Sequence, residues 1–232
     1  CLNGVAWYLS VQAFLYAIFP WLLAVLKKAD TRRLRCIAAA IFCAQCFFSL
    51  AIWKAGLSGK AVFYLTYLCP LFRAGDFAIS CCMGCLYRSR KEERIPYGAF
   101  SLLELAAVLF SGGCFFIAAR QVGALGAVAF RYNVLFTPSA VLLVWLLAVG
   151  KGVISRLLSA KPFLWLAGLS PYGFLIHQVL IRYMELAANK LGLTAHPVVW
   201  TLTVFLLTLC LSSFYKALEH RVRKRHTKAA AR

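Results

Sequence analysis

Arg73 and Asp76 stand three residues apart inside an otherwise apolar stretch, so on a helix they share a face that Ser80 and Gly84 continue. Ionisable side chains at bilayer depth cost a few kcal/mol or more, and each demands a reason. One reading is a neutralised pair that locks its helix against a neighbour. The other is an arginine that orients an anionic or carbonyl oxygen. Pro70, just ahead of Arg73, opens the backbone there, as binding sites in membranes do. A second stripe carries Ser170, Gly173, His177 and Glu185, with Tyr172 and Gln178 beside it. His177 reads either as a hydrogen-bonded core histidine or as a proton acceptor or substrate-orienting donor. Tyr8, Gln12 and Tyr16 repeat at i, i+4 spacing, where a neutral Gln12 suits a helix–helix hydrogen bond. Glu104 lies toward one end of its apolar run and is expected to partner the basic linker there.

Ten cysteines raise the question of metal. Cys43-x-x-Cys46 and Cys82-x-x-Cys85 have the spacing of half zinc sites or redox pairs. Both lie inside apolar runs, where a thiolate is expensive and cysteine behaves as a small hydrophobe, so no metal site is expected.

The elements that must position these groups are membrane helices. Hydrophobic residues make up 62% of the 232 and charged residues only 14%, too little polar surface to cover a soluble core. A spanning helix needs about 20 apolar residues, each adding 1.5 Å across a core about 30 Å thick. Seven stretches meet that test: 5–26, 36–53, 61–86, 100–119, 132–149, 163–185 and 198–218. The third is the least regular, because Pro70 removes a helical donor. The expected fold is an all-α, polytopic bundle of about seven transmembrane helices, one membrane domain over residues 1–219 with a basic tail over 220–232.

Charge sets the orientation. The chain holds 26 Lys and Arg against 7 Asp and Glu. Nineteen of the cations fall in the alternate connections 27–35, 88–94 and 151–161 and in the tail from Lys216. Only six fall in the others, with Arg73 left inside a helix. Cytoplasmic loops carry such an excess, which puts the C-terminus in the cytoplasm and Cys1 outside a cell membrane. The chain starts without Met or a basic flank, so a longer protein with an odd number of preceding crossings is expected. Counted from the outer helix ends at 1.5 Å per residue, Gln12 lies about 10 Å deep, His177 about 12 Å and Arg73 about 16 Å. A shared polar site opening outward is the expectation. The basic tail is expected to anchor on anionic lipid, and no nucleic acid is expected as a partner.

Three local patterns now combine. Trp7-Tyr8-Leu9-Ser10-Val11-Gln12, with Tyr16 and Pro20, resembles an early helix of the acyltransferase family 3 membrane proteins. Pro70-Leu71-Phe72-Arg73-Ala74-Gly75-Asp76-Phe77 is similar to that family's proline–arginine–acidic–phenylalanine segment. Leu169-Ser170-Pro171-Tyr172-Gly173-Phe174-Leu175-Ile176-His177-Gln178 resembles its late serine, tyrosine, leucine–histidine helix, and Glu219 with Arg221 its closing glutamate–arginine. Their order covers essentially the whole chain. Gln12 departs from the pattern, since an acidic residue is usual there.

The resemblance implies an integral membrane O-acyltransferase, commonly an O-acetyltransferase acting on cell-surface or exported glycans. Its co-substrate is acyl-CoA, and no cofactor is bound. Family members have ten crossings, so three would precede this chain, and their main catalytic histidine belongs to the first of them. Acyl transfer needs a base and donors for the oxyanion, which gives Arg73, held by Asp76, an oxyanion or acceptor-orienting role, with His177 supporting the missing base. Gln12, Tyr16, Ser170 and Tyr172 become substrate-binding candidates. The fragment is expected to be inactive alone. A secondary transporter or flippase is the competing class, because midplane ionisable residues and broken helices occur there too.

Overall fold

The structure, a computed structural model, describes residues 7–89, 96–192 and 196–230. Cys1, the linker cations Arg90, Lys91 and Arg94, and Arg232 lie outside the described residues. So do the side chains of Arg223, Lys224, Arg225 and Lys228 in the tail.

Every regular element among the described residues is helical. In chain order they are α1 (Trp7–Leu26), α2 (Thr31–Lys54), α3 (Gly59–Phe63), α4 (Pro70–Ser89), α5 (Tyr97–Arg120) and α6 (Val128–Arg131). After them come α7 (Thr137–Val149), α8 (Val153–Leu158), α9 (Lys161–Ala167), α10 (Ser170–Leu191) and α11 (Pro197–Ala230). The chain is a multi-pass membrane helix bundle. Five helical stretches are long and apolar enough to cross a bilayer: α1, α2, Gly59–Ser89, α5 and Pro197–Glu219. A sixth qualifies if α9 and α10, bent by 59° at Gly168 and Leu169, count as one span.

The expected crossing at 132–149 comes out short. Only 13 residues, those of α7, are helical there, about 20 Å at 1.5 Å per residue. Tyr132 to Phe136 are apolar enough to extend the run, yet they form a turn. Pro138 then falls in the first turn of α7, where its missing N–H costs nothing. Gly150, at φ 73°, ends the helix in the left-handed region that glycine tolerates.

The helices form two compact units, Tyr8–Leu158 and a second made of Ser159–Arg232 with Cys1–Trp7. In the first, α2 packs along α4, and three apolar clusters hold the ends together. Leu26, Leu34 and Cys82 join α1, α2 and α4 at the end rich in cations. Ile52, Val62, Phe72, Phe130 and Val134 gather α2, α3, α4 and α6 at the other. Phe100, Ala107 and Leu146 join α5 to α7. Trp21, Phe47 and Leu71 point outward with 70–75% of their surface exposed, as lipid-facing side chains do. In the second unit, α10 packs on α11, where Gly173 lets the Thr208 and Ser212 side chains approach.

Pro70 divides the third expected segment as its chemistry requires. The residue before a proline is pushed out of the helical region, and Cys69 is extended at φ −62°, ψ 119°. The turn before it, Tyr64–Leu68, widens to a π-helix closed by Cys69 N–H donating to the Tyr64 carbonyl at 2.8 Å. Beyond this break α4 restarts at Pro70, three residues after the Tyr67 carbonyl and three before Arg73.

Candidate functional site

Arg73 occupies that break. Its Nε donates to the Tyr67 carbonyl at 2.9 Å, and its guanidinium stacks 4.8 Å from the centre of the Tyr67 ring. Nη1 donates to Asp76 Oδ2 at 3.2 Å. The pair is partly buried, with side-chain exposures of 20% and 26%. A guanidinium has five N–H donors, so this anchoring leaves others available to a ligand.

Asp76 is held from three helices. Beyond Arg73 it accepts, through Oδ1, from Gln45 Nε2 of α2 at 3.1 Å and from Thr137 Oγ1 of α7 at 3.4 Å. Gln45 is buried and also donates to the Phe72 carbonyl at 3.1 Å. That approach depends on Gly75: a Cβ there would stand 2.7 Å from Gln45 Nε2 and 3.0 Å from its Cδ. Thr137 Oγ1 also lies 3.3 Å from Asn133 Oδ1, placing a second amide beside the carboxylate. Asn133 is buried, and its Nδ2 has no hydrogen-bond partner among the described residues.

These groups close one end of a cavity of about 530 Å³ between α4 and α7. Arg73, Asp76, Asn133 and Thr137 form its polar end; Ile79, Met83, Phe136, Val141, Val144 and Trp145 form apolar walls. It runs down α4 to Tyr87, whose hydroxyl donates to the Ala148 carbonyl at 2.8 Å. Ser80 and Gly84, which the i, i+3, i+4 pattern places on Arg73's stripe, line it as well. A half-buried cation with free donors, in an apolar-walled space, is suited to stabilising oxygen that gains negative charge.

Gln45, Asn133 and Thr137 escape sequence reasoning. Single neutral polar residues in apolar runs carry no spacing signal, and 31 and 61 residues separate Gln45 and Thr137 from Asp76. Gln12 and Tyr16 pair with each other on α1, Gln12 Nε2 donating to the Tyr16 hydroxyl at 2.6 Å. Tyr16 is 62% exposed, and neither residue lines the Arg73 cavity.

The second unit holds the other candidates. His177 is part-buried on α10, its Nδ1 3.1 Å from the Gly173 carbonyl one turn back. With the proton on Nδ1 it donates there, leaving Nε2 as the acceptor. Ser170 opens α10 and is exposed, while Glu185 is exposed farther along. The Tyr172 hydroxyl donates to Glu219 on α11. Both residues line a cavity of about 550 Å³ with Trp165, Leu169 and Lys216. The buried Oε1 of Gln178 has no hydrogen-bond partner among the described residues.

Glu104 is expected to partner the basic linker, most of whose cations lie outside the described residues. Among the described residues it is fully buried and engages backbone: Oε1 accepts from Gly152 N–H at 3.2 Å, Oε2 from Ile154 at 2.8 Å and Ser155 at 3.2 Å. These are donors that the start of α8 leaves unpaired, and a carboxylate complements that helix end electrostatically. Cys82 is buried against Leu26 and Leu34, and Cys43 is exposed. Among the described residues no three of His, Cys, Asp and Glu cluster as metal ligands.

The family model described as "Acyltransferase domain" matches residues 2–216. The chain belongs to acyltransferase family 3. No curated protein and no solved structure matches it. In this acyltransferase the match takes in both units, and with them Arg73–Asp76 and the Ser170–His177 stretch.

Proposed function

We propose that this acyltransferase moves an acyl group, commonly acetyl, from acyl-CoA to a hydroxyl of a cell-surface or exported glycan. The observation that supports this reading is Arg73: anchored by Tyr67 and Asp76, with donors to spare, at the polar end of an apolar-walled cavity.

In the reaction the acceptor hydroxyl oxygen attacks the thioester carbon. A carbon–oxygen bond forms, the carbon–sulfur bond breaks, and the hydroxyl proton passes through a base to the leaving thiolate. Charge builds on the thioester oxygen in between, and Arg73 is placed to receive it. Asp76, fixed by Gln45 and Thr137, keeps the guanidinium aimed and balances its charge. The apolar walls limit water, which protects the acyl group from hydrolysis and strengthens the guanidinium's effect. His177, with Nδ1 at the Gly173 carbonyl, keeps the supporting role expected for it. The cation-rich ends of the helices face the cytoplasm, where acyl-CoA is found, with the C-terminus on the same side and residue 1 on the other.

The test uses membranes carrying the full-length protein, radiolabelled acetyl-CoA and a search for label in surface glycan. Wild type should label glycan. Arg73→Ala should insert normally and lose transfer, and wild-type labelling by that variant would remove the arginine from the mechanism.

A further inference from the structure

A larger cavity, about 900 Å³, lies on the neighbouring flank of α4, between it and the α1–α2 turn. Its floor is apolar: Phe19, Leu23, Leu26 and Leu34. Its rim is polar and carries two cations, Lys27 and Arg88. Both are exposed, and among the described residues neither side chain has a hydrogen-bond or ion-pair partner. Asp30, the one carboxylate on the rim among the described residues, accepts the Arg33 N–H at 2.7 Å and so caps α2. Two unpaired cations above an apolar floor suit a ligand with phosphates attached to a long uncharged body.

The two cavities share Gly84. A Cβ there would meet no atom within 4 Å, so α4 presents bare backbone and open space where they meet. From Gly84 to Arg73 along α4 is about 16 Å at 1.5 Å per residue.

We propose that the phosphate-bearing end of acyl-CoA binds at Lys27 and Arg88, and that its pantetheine arm passes Gly84 to bring the thioester to Arg73. This rests on the acyl-CoA reading above and names the residues that receive the donor. The arm carries no charge, which suits the apolar walls it must follow. Its amides have the Ser80 and Thr137 hydroxyl oxygens within the cavity as acceptors.

The test compares two donors in membranes carrying the full-length protein: acetyl-CoA, and S-acetyl-pantetheine, which has the arm but no phosphate. The double variant Lys27→Ala/Arg88→Ala should raise KM for acetyl-CoA about tenfold through two lost charge-assisted contacts. Its kcat should be unchanged, and its KM for S-acetyl-pantetheine unaltered. Gly84→Leu should slow both donors, while Gly84→Ala, whose methyl meets nothing, checks that the helix tolerates substitution. A KM shift equal for both donors, or none for either, would overturn the assignment. So would a shift seen only in vesicles containing anionic lipid, which would give the cations to lipid headgroups. Transfer by wild type with an unmoved KM in the double variant defeats this proposal alone. No transfer from either donor by wild type defeats the acyl-CoA reading and this proposal with it.

Discussion

Replacing Gly152 with alanine should unlatch the turn between α7 and α8. A Cβ at Gly152 would occupy the space of the Glu104 carboxyl group, and an amide of the same turn is one of its three donors. The carboxylate must therefore withdraw, leaving the N–H groups of Ile154 and Ser155 short of an acceptor, while Gly152 N–H keeps the Ser155 hydroxyl oxygen at 3.2 Å. Ser155 is buried and Ile154 only partly so, and water can replace the lost contact at Ile154 alone. Stranding the one buried donor costs about 1–3 kcal/mol. For a chain of this size that is a fall in thermal midpoint of roughly 2–12 °C. The assay is thermal unfolding in detergent, followed by exposure of the buried cysteines to a thiol-reactive dye. Gly112→Ala on α5 serves as the control, since its Cβ meets no atom within 4 Å and alanine favours helix. Glu104→Ala should cost as much as Gly152→Ala, and the two together little more than either, because both remove the same contacts. An unchanged midpoint for Gly152→Ala, or full additivity in the double variant, would refute the latch.

The other expectations concern Arg73 and the groups that aim it. Gly75→Ala should cut acyl transfer by roughly 10–100-fold without blocking membrane insertion, because the methyl displaces Gln45 from Asp76 and a hydrogen bond to a charged group is worth about 1.5–3 kcal/mol. Thr137→Val removes the longest contact to Asp76 and should cost about threefold or less in kcat/KM, whereas Asp76→Asn should cost about a hundredfold. Arg73→Lys should behave nearly as Arg73→Ala, since an ammonium cannot both bond the Tyr67 carbonyl and stack on its ring. Tyr172→Phe should lower the thermal midpoint by a few degrees, about 0.5–1.5 kcal/mol for one hydrogen bond.

Much of the frame was legible because bilayer physics writes it in long apolar runs. The helices, the break at Pro70 and the Arg73–Asp76 face all follow from composition, a missing N–H and a three-residue spacing. The length of α7 was not legible, because Tyr132–Phe136 counts as apolar whether it is helix or turn. Contacts far apart in the chain were hidden too. Gln45 reaches Asp76 only because α2 lies on α4 at Gly75, and no local pattern encodes that crossing. Glu104 drew attention for its charge, but its partners are backbone amides 48 to 51 residues away, which carry no residue signature at all. The cysteine pairs have a familiar spacing, and what it did not disclose is that Cys82 packs against Leu26 and Leu34.

Arg73 takes its bonding partners, the Tyr67 carbonyl, the Tyr67 ring and Asp76, from within residues 67–76. Its bearing is thus written in one short peptide, which the tertiary assembly steadies through Gln45 and Thr137 on Asp76. Such a segment is a transferable cassette: the apolar walls beyond Gln45 and Thr137 can be redesigned while the cation keeps the same heading.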